Sequence, residues 1–283
     1  MSRCVIVTSV LNGARYLEAT LASVDAQTHD DWIHFVVDGG STDDTLDIVR
    51  RSTAAEPRRI LVTGPDRGMY DGIFKGFDRA RSDGGAPDDI CLWLNADDLL
   101  APWALSTMVQ AFTAWDADWL TAFPAQWDAR GNLEFVHPRA WYPQSLIRAG
   151  LFSGRGLGWI QQECTFFTRR LLDLVPPARL AAIRNTKMAG DFLLWREFAR
   201  HRPLLSVPTV IGGFRSHGGN ASIQGPEVYY RELRQAGIFL PPAILGRPLR
   251  ALYLLMATLV TAWRARRLAI AVDREMRRKP GTP

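Results

Sequence analysis

The chain has 283 residues, 47% hydrophobic and 22% charged, as in a globular protein able to bury a sizeable core and unlike a disordered or fibrous one. Its three cysteines, Cys4, Cys91 and Cys164, lie far apart and in no metal-ligand spacing, which argues against a disulfide framework and fits a reducing compartment. The net charge of +5 is uneven: residues 247–279 carry nine basic and two acidic residues, leaving 25 against 27 elsewhere, so the main body offers no basic surface for nucleic acid.

The apolar run Val5–Val10 reads as a first strand. It is too short for the apolar region of a signal peptide, and no small-residue cleavage site follows it. The expected location is therefore the cytosol or the cytoplasmic face of a membrane. After Asn12-Gly13, residues Tyr16, Leu17, Thr20, Leu21 and Val24 recur at helical spacing. Ile33–Val37 is a second strand, ended by Asp38-Gly39-Gly40. Ser41-Thr42-Asp43-Asp44 then opens a helix with the look of an N-cap followed by first-turn acids. A third strand spans Ile60–Thr63, a helix runs from about Met69 to Arg81, and a fourth strand, Ile90–Leu94, ends at Asn95-Ala96-Asp97-Asp98.

Four strand–helix alternations predict an α/β fold with a doubly wound, mostly parallel sheet, whose ligands bind beyond the carboxyl ends of the strands. Asp38, Asp66 and the Asp97-Asp98 pair all fall at such ends. Carboxylates gathered at one edge repel one another unless a cation or hydrogen-bond donors compensate.

Further on, Asp118–Phe123 and Leu133–His137 read as strands on either side of the turn Ala129–Asn132. Phe152–Gly158 is a glycine-rich loop, Glu163–Phe167 a strand, Arg169–Leu174 a short helix, Asp191–His201 a helix and Leu204–Ile211 a strand-like run. The ten tryptophans read as core or interface residues, or in part as the lining of a sugar or lipid surface.

The end of the chain differs. Apolar residues at 252, 255, 256, 259, 260 and 263 mark one helical face, and 251–263 carry no charge before Arg264, Arg266 and Arg267. Such a stretch is short of the roughly 20 residues that span a bilayer. It reads as an in-plane helix with arginines toward anionic headgroups, or else as a terminal helix packed on the domain.

Two constellations carry chemistry. Asp97 and Asp98 suit a hard divalent cation, although Asp98 could instead cap the helix that follows Pro102. Asp38 can accept from a nucleobase N–H or a sugar hydroxyl, and the glycines after it allow close backbone approach. Gly190-Asp191 before an apolar run has the form of a helix start.

Over roughly residues 4–223 the chain resembles glycosyltransferase family 2, enzymes of the GT-A fold. Motifs in order carry the resemblance. They are Val5–Val10 with Asn12, Val37–Thr45, Gly64–Gly72, Asn95–Asp98, the Gln161-Gln162-Glu163-x-Thr-Phe-Phe segment, Ala189-Gly190-Asp191-Phe192-x-Leu-Trp, and Gly213-Phe214-Arg215-x-His217-Gly218-Gly219.

The resemblance implies a GT-A domain over 1–223, with a nucleotide-sugar half (1–100) and an acceptor half (101–223), followed by a basic amphipathic tail over 224–283. It implies a donor site of Thr8, Asn12, Asp38, Asp66, Asp71, Asn95 and Arg215, and acceptor contacts from Gln162 and Glu163. A divalent metal, Mn²⁺ or Mg²⁺, would sit on Asp97, Asp98 and His217, and Asp191 would be the general base. The implied partners are a nucleotide-diphosphate sugar, a glycan or lipid-linked acceptor of surface polysaccharide or lipopolysaccharide synthesis, and an anionic membrane surface on the inner face of the cell membrane.

Two departures stand out. Asn95 replaces the first Asp of the usual Asp-x-Asp and offers a carbonyl oxygen without charge, and Phe74 stands where related stretches often carry Asn. The Gln-x-x-Arg-Trp motif of processive synthases is absent, which points to single additions. A sugar-nucleotide nucleotidyltransferase would want a glycine-rich basic loop, which Ser9–Gly13 lacks. A non-catalytic nucleotide-sugar binder that lost activity at Asn95 is the other alternative.

Overall fold

The computed structural model describes residues 2–137, 141–220, 225–238 and 248–260. Strand β1 (Cys4–Val10) lies between β2 (Trp32–Asp38) and β4 (Ile90–Trp93), parallel to both, and β3 (Arg59–Thr63) adds in parallel to β2. Helices α1 (Ala14–Asp25), α2 (Thr45–Ala55) and α3 (Met69–Ser82) connect them. This is the predicted doubly wound half. Val5 and Val7 face the α3 side, Cys4 and Ile6 the other, as the two-residue period of a strand buried on both faces requires.

The seven-stranded sheet runs β10-β6-β9-β4-β1-β2-β3. Its second half departs from the prediction. Strand β6 (Trp119–Thr121) does not pair with the segment after the Ala129–Asn132 turn; it joins the main sheet beside β9 (Thr165–Thr168). The partner of β8 (Leu133–Val136) is β7 (Ala125–Trp127), in a four-stranded sheet β5-β11-β7-β8 with β5 (Leu99–Leu100) and β11 (Gly212–Arg215). The long apolar run at 204–211 yields only β10 (Leu205–Ser206). Strand β9 is antiparallel to both β4 and β6.

Helices α4 (Ala104–Trp115), α5 (Gln144–Arg148), α6 (Arg169–Asp173), α7 (Pro177–Arg184) and α8 (Gly190–His201) cover the sheet. Four tryptophans are core residues: Trp32, Trp93, Trp119 and Trp195 are buried, and Trp195 stacks on Trp93 with centroids 5.3 Å apart. Trp103 and Trp159 are exposed.

The boundary expected at 223 does not end the packing. Helix α9 (Pro226–Gln235) buries Tyr229 and Leu233 against Phe192. Its Glu232 carboxylate accepts from the N–H groups of Lys187, Met188 and Ala189 at 2.7, 3.0 and 3.0 Å. A carboxylate on these otherwise orphaned donors holds the start of α8.

Residues 248–260 are helical and dock through Tyr253 and Ala257, with Tyr253 stacked 6.0 Å from Trp141. Leu249, Leu252, Leu255, Met256 and Leu259 stay exposed. The helix thus packs through one apolar face and exposes a second. Position 263 and Arg264, Arg266 and Arg267 lie outside the described residues. No helix among the described residues is long and apolar enough to cross a membrane.

Candidate active site

The loops after β1, β2 and β4 meet at one edge of the sheet. Asn12, in the left-handed region at φ 53°, accepts from the Thr42 N–H at 2.9 Å, and its own N–H donates to Ser41 Oγ at 2.9 Å. Gly13 N–H donates to Thr45 Oγ1, and Ala14 N–H to the Asp43 carboxylate. The loops after β1 and β2 are thereby clasped together. The N-cap position of α2 is Asp44; Ser41 and Asp43 serve this clasp instead.

The Asp38 carboxylate, almost wholly buried, accepts from Gly40 N–H at 2.9 Å and Ser41 N–H at 3.1 Å, so it also closes the turn. Asp66 accepts from Gly68 N–H at 2.9 Å and lies between two glycines. A Cβ on Gly39 would meet Asp66 Oδ2 at 2.7 Å, and one on Gly72 would meet Ser9 Oγ at 2.2 Å. These glycines are there because Asp66 and Ser9 fill the space.

Two of the expected donor residues do not present their side chains to this edge. Thr8 is fully buried, its hydroxyl 2.9 Å from His34 Nε2, in a polar chain that continues through Arg59 to Asp25 beneath α1. Asp71 is taken by Arg67, which donates from its backbone N–H, Nε and Nη2 at 3.1, 3.2 and 2.8 Å. The Arg67 bonds hold the Asp71 carboxyl at about 2.

Asp97 and Asp98 face different ways. Asp97 Oδ2 lies 2.9 Å from His217 Nε2 and 3.2 Å from Asn220 Nδ2, and the Asp97 side chain is partly exposed. Asp98 is fully buried. Its Oδ1 accepts from Arg215 N–H at 2.7 Å and its Oδ2 from Asn95 Nδ2 at 2.8 Å. Nor does it cap α4, whose N-cap position is Trp103. Thr20 Oγ1 meets the carbonyls of Ala96 and Asp98, both at 2.9 Å, and fixes this turn to α1.

Of the expected metal set, Asp97 and His217 are in contact, while both Asp98 oxygens accept internal hydrogen bonds. Among the described residues no cluster of three His, Cys, Asp or Glu could hold an ion. Asp97 and His217 fit a different arrangement. These two side chains are the ones that would hold a divalent ion, which would supply positive charge there. Tyr16 stacks on His217 at 4.3 Å, and the Arg215 guanidinium lies 5.1 Å from the Tyr16 ring. Arg215 is buried, and its Nε has no hydrogen-bond partner. Burial weighs against its charge while Asp98 and Asp97 favour it. An unpartnered buried guanidinium beside Asp97 and His217 suits an anion.

Because β9 is antiparallel, the 3₁₀ turn before it (Gln162–Cys164) lies at the same sheet edge. Gln162 donates to Trp93 O and accepts from Asn95 Nδ2 at 3.1 Å, so both ends of its amide are used within the protein. Glu163 is buried against Asp98. Burial lifts its carboxyl to about 7, with Asp191 and Asp97 adding repulsion, and burial together with Glu163 and Asp97 pushes Asp98 well up. Two such carboxyls share a proton near neutrality. Asn95, the departure from Asp-x-Asp, is the donor between them: a third carboxylate here would meet Asp98 and Gln162 Oε1 with no hydrogen to give.

Asp191 stands in the first turn of α8, two residues after the N-cap position at Ala189, so it is not the cap itself. Its Oδ1 accepts from Phe192 N–H at 2.7 Å and from the Tyr70 hydroxyl at 3.3 Å. Burial raises its carboxyl to about 6, against these two bonds. A Cβ on Gly190 would stand 2.6 Å from the Tyr70 ring, so this glycine lets Tyr70 reach Asp191. Sequence reasoning gave Tyr70, Tyr16, Thr20, Asn220 and Glu232 no role at the site. All five act through residues distant in sequence, and only the position of Tyr70 within the Gly64–Gly72 motif offered a signal.

Comparison with known proteins bears on this geometry. A mycobacterial PGL/p-HBAD biosynthesis glycosyltransferase (Mycobacterium bovis) is 38% identical over 96 residues, 34% of this chain and 35% of the relative. An uncharacterized glycosyltransferase of Nostoc is 31% identical over 112 residues, 39% of this chain and 33% of the relative. The matches thus span about a third of these relatives' length.

Among solved structures, S. aureus TarS residues 1–349 in complex with UDP-GlcNAc superposes with TM-score 0.62 at 16% identity, over 82% of this chain and 65% of that one. The mannosyltransferase PcManGT of Pyrobaculum calidifontis, in complex with GDP-Man and Mn²⁺, gives 0.53 at 18%, over 95% and 75%. Both share the GT-A-like fold. The model of glycosyl transferase family 2 matches residues 5–173, more than half of the sequence, and the chain belongs to that family.

Proposed function

We propose that the protein transfers one sugar from a nucleotide-diphosphate donor to an acceptor hydroxyl with inversion. The observation that carries this is a half-buried carboxyl raised to about 6, Asp191, and an anion-ready group of Asp97, His217 and Arg215, with Asp191 and Asp97 both close enough to act on the buried Glu163. A base poised near the working pH removes the acceptor proton efficiently. Asp191 takes that proton, and Tyr70 fixes the orientation of its carboxyl. Arg215 donates to the diphosphate as charge gathers on it. The clasped loops of Asn12 and Ser41–Thr45, with Asp38 and Asp66, bound the nucleotide end of the site. Asp97 and His217 would hold a Mn²⁺ or Mg²⁺ ion, which offsets the charge of the departing diphosphate.

The acceptor is a surface glycan or lipid-linked sugar, and the exposed leucines of the 248–260 helix rest on an anionic membrane. The complexes of TarS with UDP-GlcNAc and of PcManGT with GDP-Man support the donor class, and PcManGT's Mn²⁺ supports the ion. The test is donor turnover across UDP, GDP and dTDP sugars with and without Mn²⁺. Turnover that is metal-stimulated and lost in Asp191→Asn supports the reading. Donor binding without turnover would instead favour a non-catalytic sugar-nucleotide binder.

A further inference from the structure

A second charged site lies apart from the candidate active site. Ser145, Arg148 and Ala149 of α5 and its C-terminal end face Arg196 and Arg200 of α8 across a cavity of about 310 Å³. Arg200 pairs with Glu197 at 3.2 Å, and Arg196 Nε donates to the Arg148 carbonyl at 3.1 Å. Among the described residues neither Arg148 nor Arg196 meets a carboxylate. Arg196 is half-buried; burial first and then Arg200 disfavour its charge, Glu197 favours it, and Arg179 adds a smaller repulsion. Like charges gathered with so little compensation are costly unless an anion joins them.

The cavity has a neighbour. Tyr253 of the 248–260 helix stacks on Trp141 and meets Phe152 edge-on, the residues that bracket α5 on either side in sequence. Leu249, Leu252, Leu255, Met256 and Leu259 are the exposed large apolar residues of the 248–260 helix. Three arginines that share one carboxylate, and a helix with a run of exposed apolar residues, thus lie beside one short helix. A soluble phosphate would explain the arginines but not the leucines; a lipid surface explains both, since it offers phosphates at the level of the headgroups and hydrocarbon just below.

We propose that the Arg148–Arg196–Arg200 cavity binds the phosphate of an anionic membrane lipid. The guanidinium fork suits phosphate oxygens, and the adjoining helix lays its leucines into the same leaflet. The inference rests on the membrane contact proposed above and adds to it a headgroup site on the body of the domain.

The full chain tests this by co-sedimentation with vesicles of phosphatidylcholine alone or mixed with phosphatidylglycerol. The variant Arg148→Gln/Arg196→Gln/Arg200→Gln is expected to lose roughly 5-fold in affinity for the anionic vesicles per arginine neutralised. Its binding to phosphatidylcholine and to donor sugar nucleotide stays at the parent level. Arg148→Glu, a single change at an exposed position, gives the same direction if the triple variant is unstable. Leu252→Gln/Leu255→Gln/Leu259→Gln is expected to bind neither vesicle. A parent chain that binds anionic vesicles regardless of the arginines overturns the headgroup site alone. A parent that binds no vesicle overturns the membrane contact and the site together. Inorganic phosphate that raises the parent's Tm through these arginines, without any preference for anionic vesicles, reassigns the cavity to a soluble anion and overturns the lipid assignment.

Discussion

The Tyr70 hydroxyl reaches Asp191 Oδ1 at 3.3 Å across 121 positions of sequence. This joins the first helical turn after the third strand–loop unit to the first turn of α8. It also sets where the Asp191 carboxylate can point.

Asp191→Asn should lower transfer roughly 10²- to 10⁴-fold, with donor binding unchanged by thermal shift. In the parent, kcat should fall as pH drops through about 6, because the raised carboxyl takes up a proton and can no longer act as base. An acid limb that persists unshifted in the residual activity of Asp191→Asn would assign that titration to another group.

Gly190→Ala should act on the same pair without touching it. The added Cβ meets the Tyr70 ring at 2.6 Å and forces the ring away from Asp191. Overpacking of this kind costs about 1–3 kcal/mol. The expected outcome is a lower Tm and a lower kcat at unchanged donor Kd, read by calorimetry and steady-state kinetics.

The two adjacent aspartates should separate cleanly. Asp97→Ala should abolish stimulation by Mn²⁺ and leave the urea midpoint near that of the parent. Asp98→Ala should instead destabilise the fold, since it strands the Arg215 N–H and the Asn95 amide in a buried site. An unpaired buried donor costs about 1–3 kcal/mol. A Tm loss in Asp97→Ala equal to that in Asp98→Ala would refute the division of roles.

Glu163 gives a stability signature of opposite sign to the usual carboxylate. Its folded carboxyl sits at about 7, above the ordinary value of 4.5, so the folded state binds the proton more tightly. Stability is then greatest below the unfolded value and falls as pH rises through the folded one. Glu163→Gln should flatten this fall: its Tm should match the parent near pH 4 and exceed it at pH 8.

The first half of the chain was legible because each apolar run there ends in a polar turn, and each helix carries a regular apolar stripe. Val5–Val10, Ile33–Val37 and Ile60–Thr63 all fall within observed strands. Of the second sheet only β8 was legible, as Leu133–His137; β5, β7 and β11 are two to four residues long, too short for alternation to register, and β6 was drawn to the main sheet by its pairing with β9. The site residues were legible as a set. Their orientations were not, because nothing in Asp97-Asp98 tells which carboxylate the Arg215 N–H will claim, and nothing in Asp71 or Thr8 announces Arg67 or His34 as partner. Glu232 was hidden for a different reason: a basic, amphipathic stretch disguised a helix that belongs to the domain.

The reversed direction of β9 has one more consequence. A parallel strand can bring only the residues that follow it to the ligand edge, whereas β9 brings those that precede it. Gln162 and Glu163 are therefore anchored downstream by the sheet, while the chain upstream of them, with its glycine turns at 154, 156 and 158, can vary in length and composition. Within such an arrangement, that loop can be exchanged while the proton-sharing carboxyls stay where they are.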